Sequence, residues 1–249
     1  MKTIVMIPSR YGSSRFKGKP LALIKGKPMI QRVYERAVNA KNISDVRVVT
    51  DDPRIFNTVE KFGGRAMMTS PENRSGTARA AEAAEKIGLA PDDIIINVQG
   101  DQPLIDPRCI EQTAAPLLSE RQNPESQIRM TTLGFRIVNP DEITNPKDVK
   151  VTFDNNGNAL YFSRSPIPYA RDPSLPFDTY RHLGIYGYTR GFLEVFRKLP
   201  QGRLEQIEKL EQLRVLEHGY KIMVVITEYD SPEIDLPEDI ARVERLIQE

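Results

Sequence analysis

Within twelve residues after an apolar run ending at Ile7, the chain places Arg10, Arg15, Lys17 and Lys19 among two glycines, Gly12 and Gly18, and three hydroxyls, Ser9, Ser13 and Ser14. Glycine lets backbone N–H groups approach anionic oxygens closely, while arginine forks and a lysine ammonium neutralise charge. That composition suits a polyphosphate. A solvated basic loop is the plainer account of the same residues, but a buried parallel strand leading straight into such a loop is where open α/β sheets bind ligands. Five residues separate Gly12 from the Gly18-Lys19 pair and Pro20 follows, so this is not a Walker loop, which needs four residues there and then Ser or Thr for magnesium. Any metal must be held by carboxylates elsewhere. No G-x-G-x-x-G follows the strand, which argues against a dinucleotide enzyme of the usual kind.

The second cluster is Gln99-Gly100-Asp101, at the exit of an apolar run over Ile94 to Val98 broken only by Asn97. A carboxylate at the carboxyl end of a parallel strand lies at the ligand crevice, and magnesium on nucleotide phosphates needs one or two of them. Capping a helix that starts near Pro107 is the alternative for Asp101. Ser75-Gly76-Thr77 reads as a helix start whose hydroxyls and N–H groups either cap that helix or face a ligand. Asp235 reads as the N-cap of a last helix opened by Pro237, Glu238 and Asp239. Leu204 to His218 reads as one helix, with Glu208, Glu211 and Gln212 on one face beside an apolar stripe of Ile207, Leu210 and Leu213. That charged face is either solvated or functional, and His182 is either a structural histidine or a ligand contact.

The elements that must carry these residues alternate. Pro28 to Ala40 spaces Met29, Ile30, Val33, Ala37 and Val38 as one helical face. Asp45 to Thr50 is a strand; Asp51-Asp52-Pro53 caps a helix with Ile55, Val59 and Phe62; Gly63-Gly64 ends it; Arg65 to Met68 is a further strand. Strands and helices at this spacing imply βαβ units and a parallel sheet, in which the first strand should stop at Pro8. Arg129 to Ile137 is a strand, Val149 to Asp154 and Ala159 to Ser163 flank the hairpin signal Asn155-Asn156-Gly157, and Lys221 to Thr227 is a last strand. The parallel order therefore breaks, and an antiparallel insert or edge follows. The division expected is a single domain, 1–249, with about 1–130 as nucleotide-binding part, about 131–190 as insert and 191–249 returning to the core.

At 249 residues with a net charge of +1, no global field recruits nucleic acid or an anionic membrane. One cysteine, Cys109, excludes an intramolecular disulfide, and with two histidines it argues against zinc. No apolar leader and no 18-residue apolar span occurs, so a cytoplasmic protein without membrane insertion is expected.

From Ile7 to Asp239 the chain resembles the sugar-activating cytidylyltransferases, most closely the 3-deoxy-manno-octulosonate (Kdo) cytidylyltransferase family. The opening pattern I-P-A-R-Y-x-S-x-R-x-P-G-K-P is met by Ile7, Pro8, Arg10, Tyr11, Ser13, Arg15, Gly18, Lys19 and Pro20, with Ser9 and Lys17 replacing Ala and Pro. V-N-V-Q-G-D-(E/Q)-P is similar to Asn97 to Pro103, A-L-Y-F-S-R to Ala159 to Arg164, and K-L-E-Q-L-R to Lys209 to Arg214; RHLGIYGY, Arg181 to Tyr188, is a further family signature. Ser-Gly-Thr-(Asp/Glu)-Arg is met at Ser75, Gly76, Thr77 and Arg79, but Ala78 replaces the acid; V-D-T-P-E-D is met at Asp235 with Leu236 for Thr. The resemblance implies a Rossmann-like, mostly parallel α/β sheet of the nucleotide-diphospho-sugar transferase type, with an antiparallel insert forming a homodimer interface. It implies CTP plus Kdo, a 3-deoxy-octulosonate sugar acid, giving CMP-Kdo and pyrophosphate for lipopolysaccharide synthesis. The catalytic residues it implies are Arg10, Arg15, Lys19, Asp101 and Asp235, with Mg2+ on Asp101 and Asp235. Ser9, Arg10, Ser13, Arg15, Lys19, Ser75, Arg79 and Gln99 would hold the nucleotide; Arg164, His182, Tyr186, Glu211 and Gln212 the sugar. Three alternatives stay open: the 8-amino-3,8-dideoxy sugar as substrate, a sialic-acid-type enzyme, and a nucleotide-binding regulator without catalysis, for which Ala78 is the one support.

Overall fold

The computed structural model describes residues 1–12, 15–119, 128–172 and 174–247; the expected contact at Ser13 lies outside them. The sheet is assembled on β1 (Thr3–Ser9), which pairs in parallel with β4 (Asp45–Thr50) on one side and β6 (Ile94–Asn97) on the other. A two-stranded ribbon, β2 (Leu23–Ile24) and β3 (Lys27–Pro28), follows β1, and β5 (Ala66–Met68) extends the sheet beyond β4. Beyond β6 lie β7 (Met130–Arg136), the hairpin β8 (Lys150–Phe153) and β9 (Ala159–Ser163), β10 (Tyr180–Thr189) and β11 (Met223–Thr227). The main order is β11-β7-β10-β6-β1-β4-β5, with β8 and β9 branching from the start of β10. β10 runs antiparallel to both β6 and β7, whereas β11 is parallel to β7. The expected mostly parallel α/β sheet therefore forms, with its antiparallel element inside the sheet.

The helices are α1 (Met29–Val38), α2 (Pro53–Lys61), α3 (Gly76–Lys86), α4 (Pro107–Ser119), α5 (Asp141–Thr144), α6 (Arg190–Lys198), α7 (Arg203–Glu208), α8 (Leu213–Glu217) and α9 (Asp239–Leu246). Successive side chains of a strand point to opposite faces. Ile4 and Met6 pack with the alanines of α3 and with Phe192, Leu193 and Phe196 of α6. Val5 and Ile7 pack with Ile30, Val33 and Ala37 of α1 and with Cys109 and Ile110 of α4. Burial on both faces, about 1.5–3 kcal/mol for each large apolar side chain, explains why β1 reads as a continuous apolar run. Val38, expected on the inner face of α1, is instead exposed at its last turn.

Pro8 does not end β1, which continues to Ser9 with Pro8 opposite Val49. Val98 N–H donates to Met6 O, so alternate residues of β1 turn their backbone groups toward β6, and that ladder stops at the Met6–Asn97 pair. The N–H that proline lacks faces a stretch β6 has already left, so nothing is lost there.

The single helix expected over 204–218 is two. Lys209 takes φ 55°, the left-handed region, between α7 and α8. Glu208 explains the break: its carboxylate accepts from Ser163 Oγ at 2.6 Å and Arg164 N–H at 3.0 Å, and its carbonyl from Arg164 Nε at 2.8 Å. The last carbonyl of α7 is thus satisfied by Arg164, just beyond β9, instead of by a further turn. Consequently Ile207 is exposed while Leu210 and Leu213 are buried, and Glu208, Glu211 and Gln212 do not share one helical face.

Candidate active site

The exits of β1 and β6 and the N-terminus of α3 enclose a cleft of about 270 Å³, lined by Ser9, Arg10, Arg15, Lys19, Arg74, Ser75, Arg79, Gln99 and Asp101. Five cations face one carboxylate in that lining, a field suited to a polyanion. The loop after β1 is braced. Gly18 adopts φ 73°, its N–H donates to Tyr11 O at 2.9 Å, and a Cβ there would stand 3.1 Å from the Tyr11 ring. The Arg54 guanidinium stacks 3.3 Å from the centre of that ring. Gly100 is required by close approach: a Cβ would meet Ser9 Oγ at 2.6 Å and Pro8 O at 3.2 Å, so the two strand exits touch. Ser9 Oγ is buried there with no hydrogen-bond partner among the described residues.

Ser75 caps α3, its Oγ accepting from Ala78 N–H at 3.1 Å, while its surface stays on the cleft wall. Arg79, 3% exposed, donates to Thr69 Oγ1 at 2.5 Å and pairs with Asp51 Oδ2 at 3.1 Å, tying α3 to the ends of β4 and β5. Arg74 was not singled out by sequence reasoning, although a cation directly before a capping serine is the signal that could have found it.

Lys19 joins the two acids. Its Nζ lies 2.6 Å from Asp101 Oδ2, 3.5 Å from Asp235 Oδ1 and 2.8 Å from Ile234 O, and Arg15 Nη1 is 3.0 Å from Asp235 Oδ2. Asp235 is not a helix cap. The N–H groups of Asp235 and Leu236 instead donate to Asp239 Oδ2 at 2.9 Å, so the helix-opening carboxylate is Asp239 and both Asp235 oxygens face cations. Asp101 is not the cap of α4 either, because Asp106 accepts from Arg108 N–H at 2.9 Å. Two carboxylates converging on one ammonium fit a hard divalent cation. No group of three His, Cys, Asp or Glu converges among the described residues, so further ligands would be phosphate oxygens and water, as magnesium takes them.

Gln102 and Glu233 were also missed. Gln102 is wholly buried and its Nε2 donates to Glu233 Oε1 at 3.1 Å. Partial dehydration on the cavity wall, followed by the charges of Asp101 and Asp235, pushes the Glu233 carboxyl up to about 7, against the Gln102 hydrogen bond and Arg181. Glu233 stands two residues before Asp235 and lines the same cavity, a spacing that was a readable signal.

Beyond Asp235 opens a second cavity of about 410 Å³, walled by Arg181, His182, Gly184, Glu142 and Asp148 among others. Arg181 is held by Glu142 at 3.5 Å, Asp148 at 3.6 Å and Asp230. Gly184 lies in a bulge of β10 between Leu183 and Tyr186. His182 Nε2 is 3.0 Å from Thr132 Oγ1, whose hydrogen goes to Ile185 O at 2.7 Å, so Nε2 carries the imidazole proton and donates. Burial pushes that imidazole down to about 3, and it stays neutral. The His182 and Tyr186 rings lie 5.4 Å apart. Burial, then the charges of Glu211 and Glu233, hold the Tyr186 phenol well above its usual value.

A third, open groove of about 590 Å³ runs between residues 72–78 and the α7–α8 turn and receives Glu211. Gln212, 3% exposed, has no partner for its Nε2 among the described residues. Tyr186 thus stands beside His182 and within electrostatic reach of Glu211. The Arg164 guanidinium donates to Glu208 O and, at 2.9 Å, to Pro146 O.

A family model described as cytidylyltransferase matches residues 4–222. The 3-deoxy-manno-octulosonate cytidylyltransferase of Desulfosudis oleivorans is 60% identical over 247 residues, 99% of this chain and 98% of its own. The 8-amino-3,8-dideoxy-manno-octulosonate cytidylyltransferase of Shewanella piezotolerans is 56% identical over 240 residues, 96% of each chain. Among solved structures, CMP:2-keto-3-deoxy-manno-octonic acid synthetase complexed with CTP superposes with a TM-score of 0.89 at 42% identity, over 99% of this chain and 98% of that one. A cationic cleft at the strand exits, paired acids beside it and these matches along nearly the whole length lead to one conclusion: the chain belongs to the cytidylyltransferase family.

Proposed function

We propose that this chain transfers a cytidylyl group from CTP to the anomeric hydroxyl of 3-deoxy-manno-octulosonate, releasing pyrophosphate. The observation that carries the proposal is the cleft in which Arg10, Arg15, Lys19 and Arg74 stand beside Asp101. A nucleotide placed there would rest its phosphates on these cations and on the N–H groups opening α3, near Gln99. The sugar hydroxyl would attack the α-phosphorus in line as the bond to pyrophosphate breaks. The protein's share of that step is positioning and charge neutralisation. Arg15 and Lys19 would counter the charge gathering on the leaving pyrophosphate. Asp101 and Asp235 would hold magnesium, which supplies charge neutralisation at the phosphates and a lowered pKa for the attacking hydroxyl when bound. The low basicity that burial gives the His182 imidazole suits a contact to the sugar and not a general base.

Tyr169 (89% exposed), Leu175 and Phe177 stand out from the segment between β9 and β10, and we extend the proposal to a homodimer through that apolar surface. Light scattering at working concentration tests it, and a monomer mass would remove it. No described helix is long and apolar enough to cross a membrane; with CTP as donor, the proposed reaction belongs to the cytoplasm. Pyrophosphate release with CTP, magnesium and either Kdo or its 8-amino analogue tests the activity, with no-sugar and sialic-acid controls. Preference for Kdo is expected. Preference for the amino sugar would move the substrate and keep the chemistry, while silence with every sugar despite CTP binding would favour a regulator.

A further inference from the structure

The α7–α8 turn that carries Glu211 is fastened from two sides. Within the turn's own helices, the Glu217 carboxylate accepts from Leu204 N–H at 2.8 Å and from Glu205 N–H at 3.2 Å. Glu205 holds the Arg214 guanidinium at 2.6 and 2.7 Å, and Arg214 reaches Glu211 Oε1 at 3.7 Å. The second fastening comes from a distant part of the chain. Thr77 Oγ1 donates to Glu211 Oε2 at 2.8 Å across 134 residues of sequence. Thr77 is 4% exposed and sits in the first turn of α3, directly after Ser75 and Gly76, which wall the nucleotide cleft. Residues 73–75 wall both that cleft and the groove into which Glu211 projects.

We propose that Thr77 is a positioning residue for the sugar: it fixes the rotation of the Glu211 carboxylate from the nucleotide side. A carboxylate accepts and does not donate, so only a donor can hold Oε2, and a threonine hydroxyl locked in a helix start is one with little rotational freedom. Without it, the Arg214 guanidinium, 3.7 Å from the opposite oxygen, draws the carboxylate toward itself. Sugar affinity then depends on a residue whose neighbours line the other ligand's site. The inference rests on the proposed reading of Glu211 as a sugar contact.

The test compares Thr77→Val, which keeps the shape and removes the donor, with Thr77→Ser, which keeps the donor, and with Glu211→Gln. Each full-length variant is assayed for kcat and sugar KM by pyrophosphate release, and for CTP affinity by calorimetry. Thr77→Val is expected to raise the sugar KM about tenfold, the loss of one hydrogen bond to a charged group, with CTP affinity within about twofold of the parent. Thr77→Ser restores the parent KM, and Thr77→Val adds little once Glu211→Gln is present. Equal losses for sugar and CTP, or a serine variant no better than valine, overturn the positioning role. An unchanged sugar KM in Glu211→Gln overturns the reading of Glu211 itself. Should the valine variant not fold, Thr77→Ala is read against Thr77→Ser by the same criteria.

Discussion

On the side of β1 and β6, Ser9, Arg10, Gln99 and Asp101 each lie within a few residues of the last paired residue of a buried parallel strand. On the side of β10, His182 and Tyr186 flank a bulge, and Glu211 and Gln212 occupy a turn where a helix has been broken. The first arrangement needs only a regular sheet to aim its side chains. The second needs several specific tertiary contacts at once: Glu208 on β9, Glu217 on the start of α7, and Thr77 on Glu211. Regular elements thus make the phosphate-facing half robust, and the opposite half depends on individual hydrogen bonds.

That contrast can be broken most severely at Asp101. Asp101→Ala is expected to lower turnover by about 10³-fold or more while the thermal midpoint moves little; turnover within tenfold of the parent would remove Asp101 from the cation site. Next comes Gly202→Ala. A Cβ there would stand 1.8 Å from Glu217 Oε2, displacing the carboxylate that caps α7. We expect a loss of about 1–3 kcal/mol in urea unfolding and a raised sugar KM with CTP affinity retained. Equal weakening of both ligands would mean that the two halves are not separable.

A smaller effect is expected from acid. The His182 imidazole is pushed by burial to about 3, below its ordinary value of about 6.5. Between those values the unfolded chain binds a proton that the folded chain refuses, so stability is complete above about pH 6.5 and falls as pH drops, by at most about 1.4 kcal/mol per pH unit. His182→Gln, which keeps a donor toward Thr132, should flatten that slope between pH 6.5 and 5; an unaltered slope would assign the acid sensitivity to other groups. The smallest change is Lys209→Gly. Its φ of 55° suits glycine, so stability should hold or rise by up to about 1 kcal/mol, whereas Lys209→Val should lower it. A stabilising valine would show that the break between α7 and α8 does not need a left-handed residue.

Legibility in the sequence followed the same division. Asp45 to Thr50 is a strand with the bounds expected, because β-branched residues and a following Asp-Pro cap are local signals. The loop after β1 and Asp101 after β6 were each read as facing a ligand crevice, since parallel strands align their exits, and the two exits meet at the Gly100–Ser9 contact. The helix over 204–218 was misjudged because its propensity is high throughout, and only the tie from Glu208 to Arg164, 44 residues away, ends it early. Asp235 was read both as a cap and, through the resemblance, as a metal ligand, and spacing alone could not separate the two; Asp239, four residues on, folds back to accept the N–H groups of Asp235 and Leu236 and leaves the Asp235 carboxylate to Arg15 and Lys19. Thr77 carried a double meaning that spacing cannot reveal, because its partner is in another part of the fold.

The ammonium of Lys19, set between Asp101 and Asp235, acts as a built-in counter-ion. It keeps two acids from repelling one another in the resting protein and so preserves their separation. A triphosphate that drew this ammonium to itself would leave Asp101 without its counter-ion and Asp235 with Arg15 alone. Anion and divalent cation would then each raise the other's affinity by the same factor, as linkage demands.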